Sequence, residues 1–169
     1  MKKLDIKPKK GFTIIEVVLV LAIAALIFLM VFIALPNLQV SQRDTQRRDD
    51  LARFSAQITQ YSSNNRGKVP HTGTADTTAA TTEWTKFLAA YLNNNGDSFV
   101  DPDGEAYKVE YKGTYNKDDY SAPTEFKTHT IYVYGNAKCD GETPVASTGE
   151  RKVAFVYKLE GAGIYCGNN

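Results

Sequence analysis

From Phe12 to Leu35 the chain is an apolar run whose only polar side chains are Thr13 and Glu16. At a rise of about 1.5 Å per residue, those roughly 24 residues make a helix of about 36 Å, enough to cross a hydrocarbon core. Pro36 closes the run. It removes one backbone donor and crowds the carbonyl four residues back, which predicts a kink without ending the helix. Beyond it, Leu51, Phe54, Ile58 and Tyr61 recur at spacings of three and four, a stripe on one helical face. Mixed charge surrounds the stripe, including Arg43, Asp44, Arg47, Arg48, Asp49 and Asp50, and reads as a solvated face. Asp44 with Arg47 or Arg48, and Asp49 or Asp50 with Arg53, are at helical pairing distance. Asn64, Asn65 and Gly67 offer left-handed conformations and Pro70 prevents resumption, so the helix should stop near Ser62 to Gly67, about 80 Å from Phe12.

The pattern then changes. His71 to Thr82 is rich in Thr, Ala and Gly, lacks apolar periodicity, and reads as an exposed loop, with O-linked sugar the lesser reading of its threonines. Thr81 or Thr82 can cap a short helix from Glu83 to Asn93, with Trp84, Phe87, Leu88, Tyr91 and Leu92 at helical spacing. The remainder reads as strands. Tyr107, Val109 and Tyr111 alternate with Lys108, Glu110 and Lys112; Thr128–Tyr134 and Lys152–Lys158 are rich in β-branched and aromatic residues; Gly163–Cys166 forms a short terminal strand after a turn at Glu160 to Gly163. Tight turns predict an antiparallel meander, and the fold class is α+β.

Charge sharpens the first element. The chain of 169 residues carries a formal charge of +1, yet Met1 to Gly11 holds Lys2, Lys3, Lys7, Lys9 and Lys10 against Asp5 alone. A basic leader beside an apolar span predicts a cytoplasmic leader, with everything after Leu35 on the far side. No basic patch is large enough to indicate nucleic acid as a partner. An ordinary secretory signal would have a shorter apolar core followed by small residues, whereas Ala22, Ala24 and Ala25 lie inside this run. A carboxylate is also expensive there, about 2.5–3.5 kcal/mol on insertion scales, so something outside this one helix is expected to compensate Glu16.

Cys139 and Cys166 are an even pair in an exported region and read as a disulfide. It would close a loop of about 28 residues for about 3–4 kcal/mol and clip the terminal strand. Asp97, Asp101, Asp103 and Glu105 crowd one loop, which reads first as a turn around Pro102 and Gly104 and second as a calcium site. Catalysis finds no constellation: His71 and His129 are far apart in sequence, no serine sits in a nucleophile elbow, and no phosphate-cradling glycine pattern occurs.

The stretch Lys9-Lys10-Gly11-Phe12-Thr13-Ile14-Ile15-Glu16 resembles the class III signal of type IV prepilins and the related pseudopilins. In that pattern a basic leader ends in Gly, Phe opens the mature chain, and Glu is its fifth residue. The resemblance implies that a prepilin peptidase cuts between Gly11 and Phe12, that Phe12 is N-methylated, and that Glu16 and Thr13 serve assembly. It also implies a leader at 1–11, a membrane and assembly helix at 12–36, an amphipathic continuation at 37–65, and a small antiparallel β-sheet head at 66–169. The implied life history is a single-pass inner-membrane protein that polymerises with other pilin subunits into an extracellular filament, served by a platform and an assembly ATPase. The helical charges then have a second reading, as contacts with neighbouring subunits. Adhesion, twitching motility and DNA uptake are the implied roles, and no enzymatic activity is implied. The turn Asp101-Pro102-Asp103-Gly104-Glu105-Ala106-Tyr107 resembles one in major pseudopilins, some of which hold calcium nearby. A pseudopilin, or a membrane-tethered binding domain that never polymerises, are the alternatives; a lone anchor would gain nothing from Glu16.

Overall fold

The computed structural model describes residues 11–70, 83–94, 98–120, 126–149, 151–161 and 163–169. The leader residues 1–10, the 71–82 loop with the expected Thr81 or Thr82 cap, and Asp97 lie outside them. The chain divides into two compact units, Met1–Gln39 and Val40–Asn169. The first long helix, α1 (Ile14–Asn64), contains Pro36 and contributes to both.

In the first unit the apolar side chains have no cover. Ile14, Leu19, Leu29, Phe32 and Leu35 are all exposed, and Phe12 is 90% exposed just before the helix. The segment is long and apolar enough to cross a membrane. An exposed apolar surface of this extent belongs against lipid or other protein.

In the second unit the rest of α1 uses the expected stripe. Leu51, Phe54 and Ile58 are fully buried, and Tyr61 packs against them at the margin. Phe54 is surrounded by the rings of Trp84, Phe87, Phe99 and Phe155, with centroids 5.1–6.1 Å away. The helix ends on a left-handed turn: Gly67 N–H donates to the Ser62 carbonyl at 2.7 Å, with Arg66 at φ +58 and Gly67 at φ +80. Arg66 therefore takes the left-handed position that glycine usually fills.

The second helix, α2 (Glu83–Phe87), starts where its apolar spacing predicts, but continues as a wider π turn, Leu88–Leu92. In that turn Leu92 is fully buried while Tyr91 stacks on Phe87 and meets Tyr61 edge-on. The strands are β1 (Lys108–Thr114), β2 (Thr130–Gly135), β3 (Ala137–Asp140), β4 (Thr143–Ala146), β5 (Val153–Leu159) and β6 (Gly163–Asn168). The main sheet has the order β1-β2-β5-β6, and β3 and β4 pair separately. The fold is thus α+β with an antiparallel-rich sheet, but it is not a simple meander: β1 pairs with β2 in parallel. The physical reason lies in residues 115–129, a connection long enough to carry the chain back to the starting end, as a parallel pair requires.

β2 and β5 are central and buried on both faces. One face, with Ile131, Val133, Val153, Phe155 and Tyr157, shares a core with α1 and α2. The other, with Tyr132, Tyr134, Ala154 and Val156, packs with Phe126 and Ala137. The β3–β4 hairpin that supplies Ala137 was not expected. Gly135, the last residue of β2, leaves room for the Tyr111 hydroxyl of β1, which a side chain there would strike.

Candidate functional site

Thr13 is the last residue before α1, and Glu16 lies in its first turn. The Thr13 N–H donates to Glu16 Oε2 at 3.0 Å, the Thr13 hydroxyl donates to the same oxygen at 2.9 Å, and the Glu16 N–H reaches Thr13 Oγ1 at 3.3 Å. This reciprocal capping box satisfies donors that a helix start leaves without intrahelical partners. It also gives Glu16 two donors from its own chain, so part of the compensation expected from outside is local. The signal was present as Thr-x-x-Glu before an apolar run. Gly11 and Phe12 precede the helix, and nothing stands within 4 Å of where a Gly11 side chain would begin. The peptide bond between them is therefore not locked into helical hydrogen bonding.

The second unit contains a charged clasp. Arg47 is 5% exposed and Asp101 1%. Arg47 Nε and Nη2 donate to the two oxygens of Asp101, each at 2.8 Å, while Nη1 donates to Asp44 at 2.9 Å and Glu160 at 3.0 Å. The Tyr157 hydroxyl donates to Asp101 Oδ2 at 2.7 Å, and the Asp103 N–H to Oδ1 at 3.2 Å. Arg43 forks onto Glu160. Asp44 accepts the Glu160 and Gly161 N–H groups at 3.0 and 2.8 Å. Three segments far apart in sequence are thereby joined: α1, the loop before β1, and the β5–β6 turn.

Burial pushes the Asp101 carboxyl up, but Arg47 and Tyr157 outweigh it and hold it below the usual carboxylate range. Arg43 and then Arg47 bring Glu160 down to about 2. Asp101 in turn raises the Arg47 guanidinium. Burial raises both Asp50 and Tyr107, whose hydroxyl donates to Asp50 at 3.1 Å.

Arg47 corrects the reading of its charged neighbourhood as a solvated face. It stands four residues before Leu51 and extends the buried stripe; that spacing was the available signal. Pairing with Asp44 does occur, inside the clasp. Of the residues read as calcium ligands, Asp101 and Asp103 come together, with His129 rather than Glu105 as their neighbour in the group. Asp97 lies outside the described residues, and Asp101 already accepts four donors, two of them from a guanidinium. Asp103 accepts the Glu105 N–H and meets His129, and one ligand atom from each of Asp101, Asp103 and His129 lies within 4.8 Å of the others. The Gly104 N–H to Asp101 carbonyl bond, 2.8 Å, closes the turn that the sequence suggests.

The structure joins Cys139 of β3 to Cys166 of β6, with Cα atoms 5.8 Å apart. The Cys139 N–H also donates to the Asn168 side chain at 3.3 Å. The bridge thus ties the unexpected hairpin to the last strand.

Residues 6–32 match the family profile described as the prokaryotic N-terminal methylation motif. No curated protein and no solved structure matches the chain.

Proposed function

We propose that this chain, which carries the class III methylation signal of type IV pilins and pseudopilins at 6–32, is a structural subunit of a type IV pilus. A prepilin peptidase cuts after Gly11, Phe12 is N-methylated, and the subunit waits in the inner membrane until the platform and assembly ATPase add it to an extracellular filament. The observation that carries this reading is the register of that signal with an uncovered apolar helix that begins on the Thr13–Glu16 box.

The mechanism follows from the change of surroundings. In lipid, Thr13 supplies donors that lower the cost of Glu16. Cleavage gives Phe12 an α-amine whose ordinary pKa near 8 leaves it largely cationic at neutral pH. In the filament the Phe12 amine of one subunit pairs with Glu16 of its neighbour, a stronger partner than a neutral hydroxyl. Pro36, inside α1, is the place where the helix loosens as lipid is exchanged for neighbouring helices.

Glu16→Ala tests this directly. Membrane insertion should persist and assembly should fail; normal filaments from that variant would remove Glu16 from the mechanism. A pseudopilin is the second reading, supported by the Asp101–Tyr107 turn. It predicts a processed chain that stays in the membrane fraction without long surface filaments.

A further inference from the structure

A cavity of about 490 Å³ opens between the turn that follows α1 and the first turn of α2, a size suited to a small ligand. Tyr61, Asn64, Asn65, Arg66, Lys68 and Glu83 line it. Arg66 and Lys68 are exposed, and neither forms an ion pair among the described residues. Behind the turn, outside the cavity lining, the Arg151 guanidinium lies against Gly67, 2.8 Å from where a Cβ would stand, and adds positive charge next to Arg66 and Lys68. A helix C-terminus favours nearby cations, which accounts for Arg66 and Lys68 but not for the packing of Arg151 from a distant turn against the Gly67 between them. Arg66 also holds φ +58, a conformation that its neighbours Asn65 and Gly67 would take more readily.

The other polar groups are acceptors. Asn64 and Asn65 commit their amide nitrogens to the Tyr91 hydroxyl and the Tyr61 carbonyl, at 3.3 and 2.9 Å. Glu83 meets Lys86 through one oxygen at 2.8 Å. Among the described residues, both amide oxygens and the second Glu83 oxygen face no donor. A fitting ligand therefore brings an anionic group for the cations, hydroxyls for the acceptors, and a C–H face for the Tyr61 ring. We infer that this cavity binds a carboxylated sugar, as the terminal residue of an acidic surface glycan. The inference rests on the reading of residues 66–169 as a head presented outside the cell, but it does not require filament assembly.

The test is saturation-transfer NMR on the full-length chain in non-glycosidic detergent micelles, so that failure of binding is separate from failure of assembly. The probes are galacturonic acid and N-acetylneuraminic acid, with galactose, inorganic phosphate and oligothymidylate as comparisons. Both acidic sugars should receive saturation at their ring protons and bind at least about tenfold more tightly than galactose. Arg66→Gly keeps the left-handed turn and removes the guanidinium, so affinity should fall about tenfold with the melting temperature maintained. Lys68→Gln should weaken binding likewise, and Lys127→Gln, away from the cavity, should leave it unchanged. No saturation transfer, galactose binding as tightly as the acids, or full affinity in Arg66→Gly would overturn the assignment. Phosphate displacing the sugars at equal affinity would reduce the site to an anion hole, and oligothymidylate outcompeting them would reassign it to nucleic acid.

Discussion

Glu16 and Asp101 are both carboxylates held by donors of their own chain, and the two units stabilise them in opposite ways. Glu16 takes its donors from Thr13, three residues away, and stays exposed. Asp101 takes a guanidinium fork from Arg47, 54 residues away in sequence, plus the Tyr157 hydroxyl, and is buried. The local arrangement costs little to dissolve, which leaves Glu16 the freedom that the proposed pairing with another subunit requires. The long-range one is held by three segments at once, and it fixes the loop before β1 and the β5–β6 turn to the helix. On the proposed function, the first unit exchanges partners while the second keeps its own.

The largest effect should come from the permanent pair. Arg47→Ala leaves Asp101 buried without a counter-charge, which costs about 3–5 kcal/mol, so thermal melts should show a strongly destabilised second unit. Arg47→Lys, which keeps a charge but loses the fork, should recover part of the loss. A wild-type melting temperature in Arg47→Ala would mean that the clasp is ornamental.

Acid should act on the same pair less severely. Asp101 and Glu160 have folded-state pKa values below their unfolded ones, Glu160 near 2. Such groups contribute fully above the ordinary carboxylate range of about 4 and lose their contribution as pH falls towards 2. Asp50, raised by burial, works in the opposite sense and blunts the slope. Melting temperature followed from pH 5 to pH 2 should fall, and the fall should be shallower in Arg47→Ala. Equal slopes would detach the acid response from the clasp.

Thr13→Val should have the smallest effect. It removes the cap hydroxyl for about 1 kcal/mol, and amide exchange at Glu16 and Val17 in micelles should quicken about fivefold. Thr13→Ser should exchange at the wild-type rate. Unchanged exchange in Thr13→Val would show that the box does not hold the first turn.

The same contrast explains what could be read in advance. α1 was legible because its apolar run and its stripe at Leu51, Phe54 and Ile58 are local periodicities, and the strands at 108–114, 130–135 and 153–159 were legible from β-branched and aromatic content. The capping box was equally local, a Thr-x-x-Glu at Thr13 and Glu16 ahead of the apolar run, although the two were read as assembly residues and not as a cap. Arg47 was hidden because burial of a charge depends on Asp101, Glu160 and Tyr157, which only the folded chain brings near it. The parallel β1–β2 pair is likewise a property of the long connection between them. The β3–β4 hairpin announces itself only through Asp140-Gly141, since its short strands include Lys138 and Asp140 and give little alternation.

The central claim is that the chain is cut at Gly11 and polymerises through the helix that begins there. Mass spectrometry of a sheared surface fraction, with electron microscopy of the same sample, tests it most directly. Thin filaments composed mainly of a chain that begins at methylated Phe12, two hydrogens light for the Cys139–Cys166 bridge, are the predicted result. A chain that still begins at Met1 in cells with active prepilin peptidase would contradict the account.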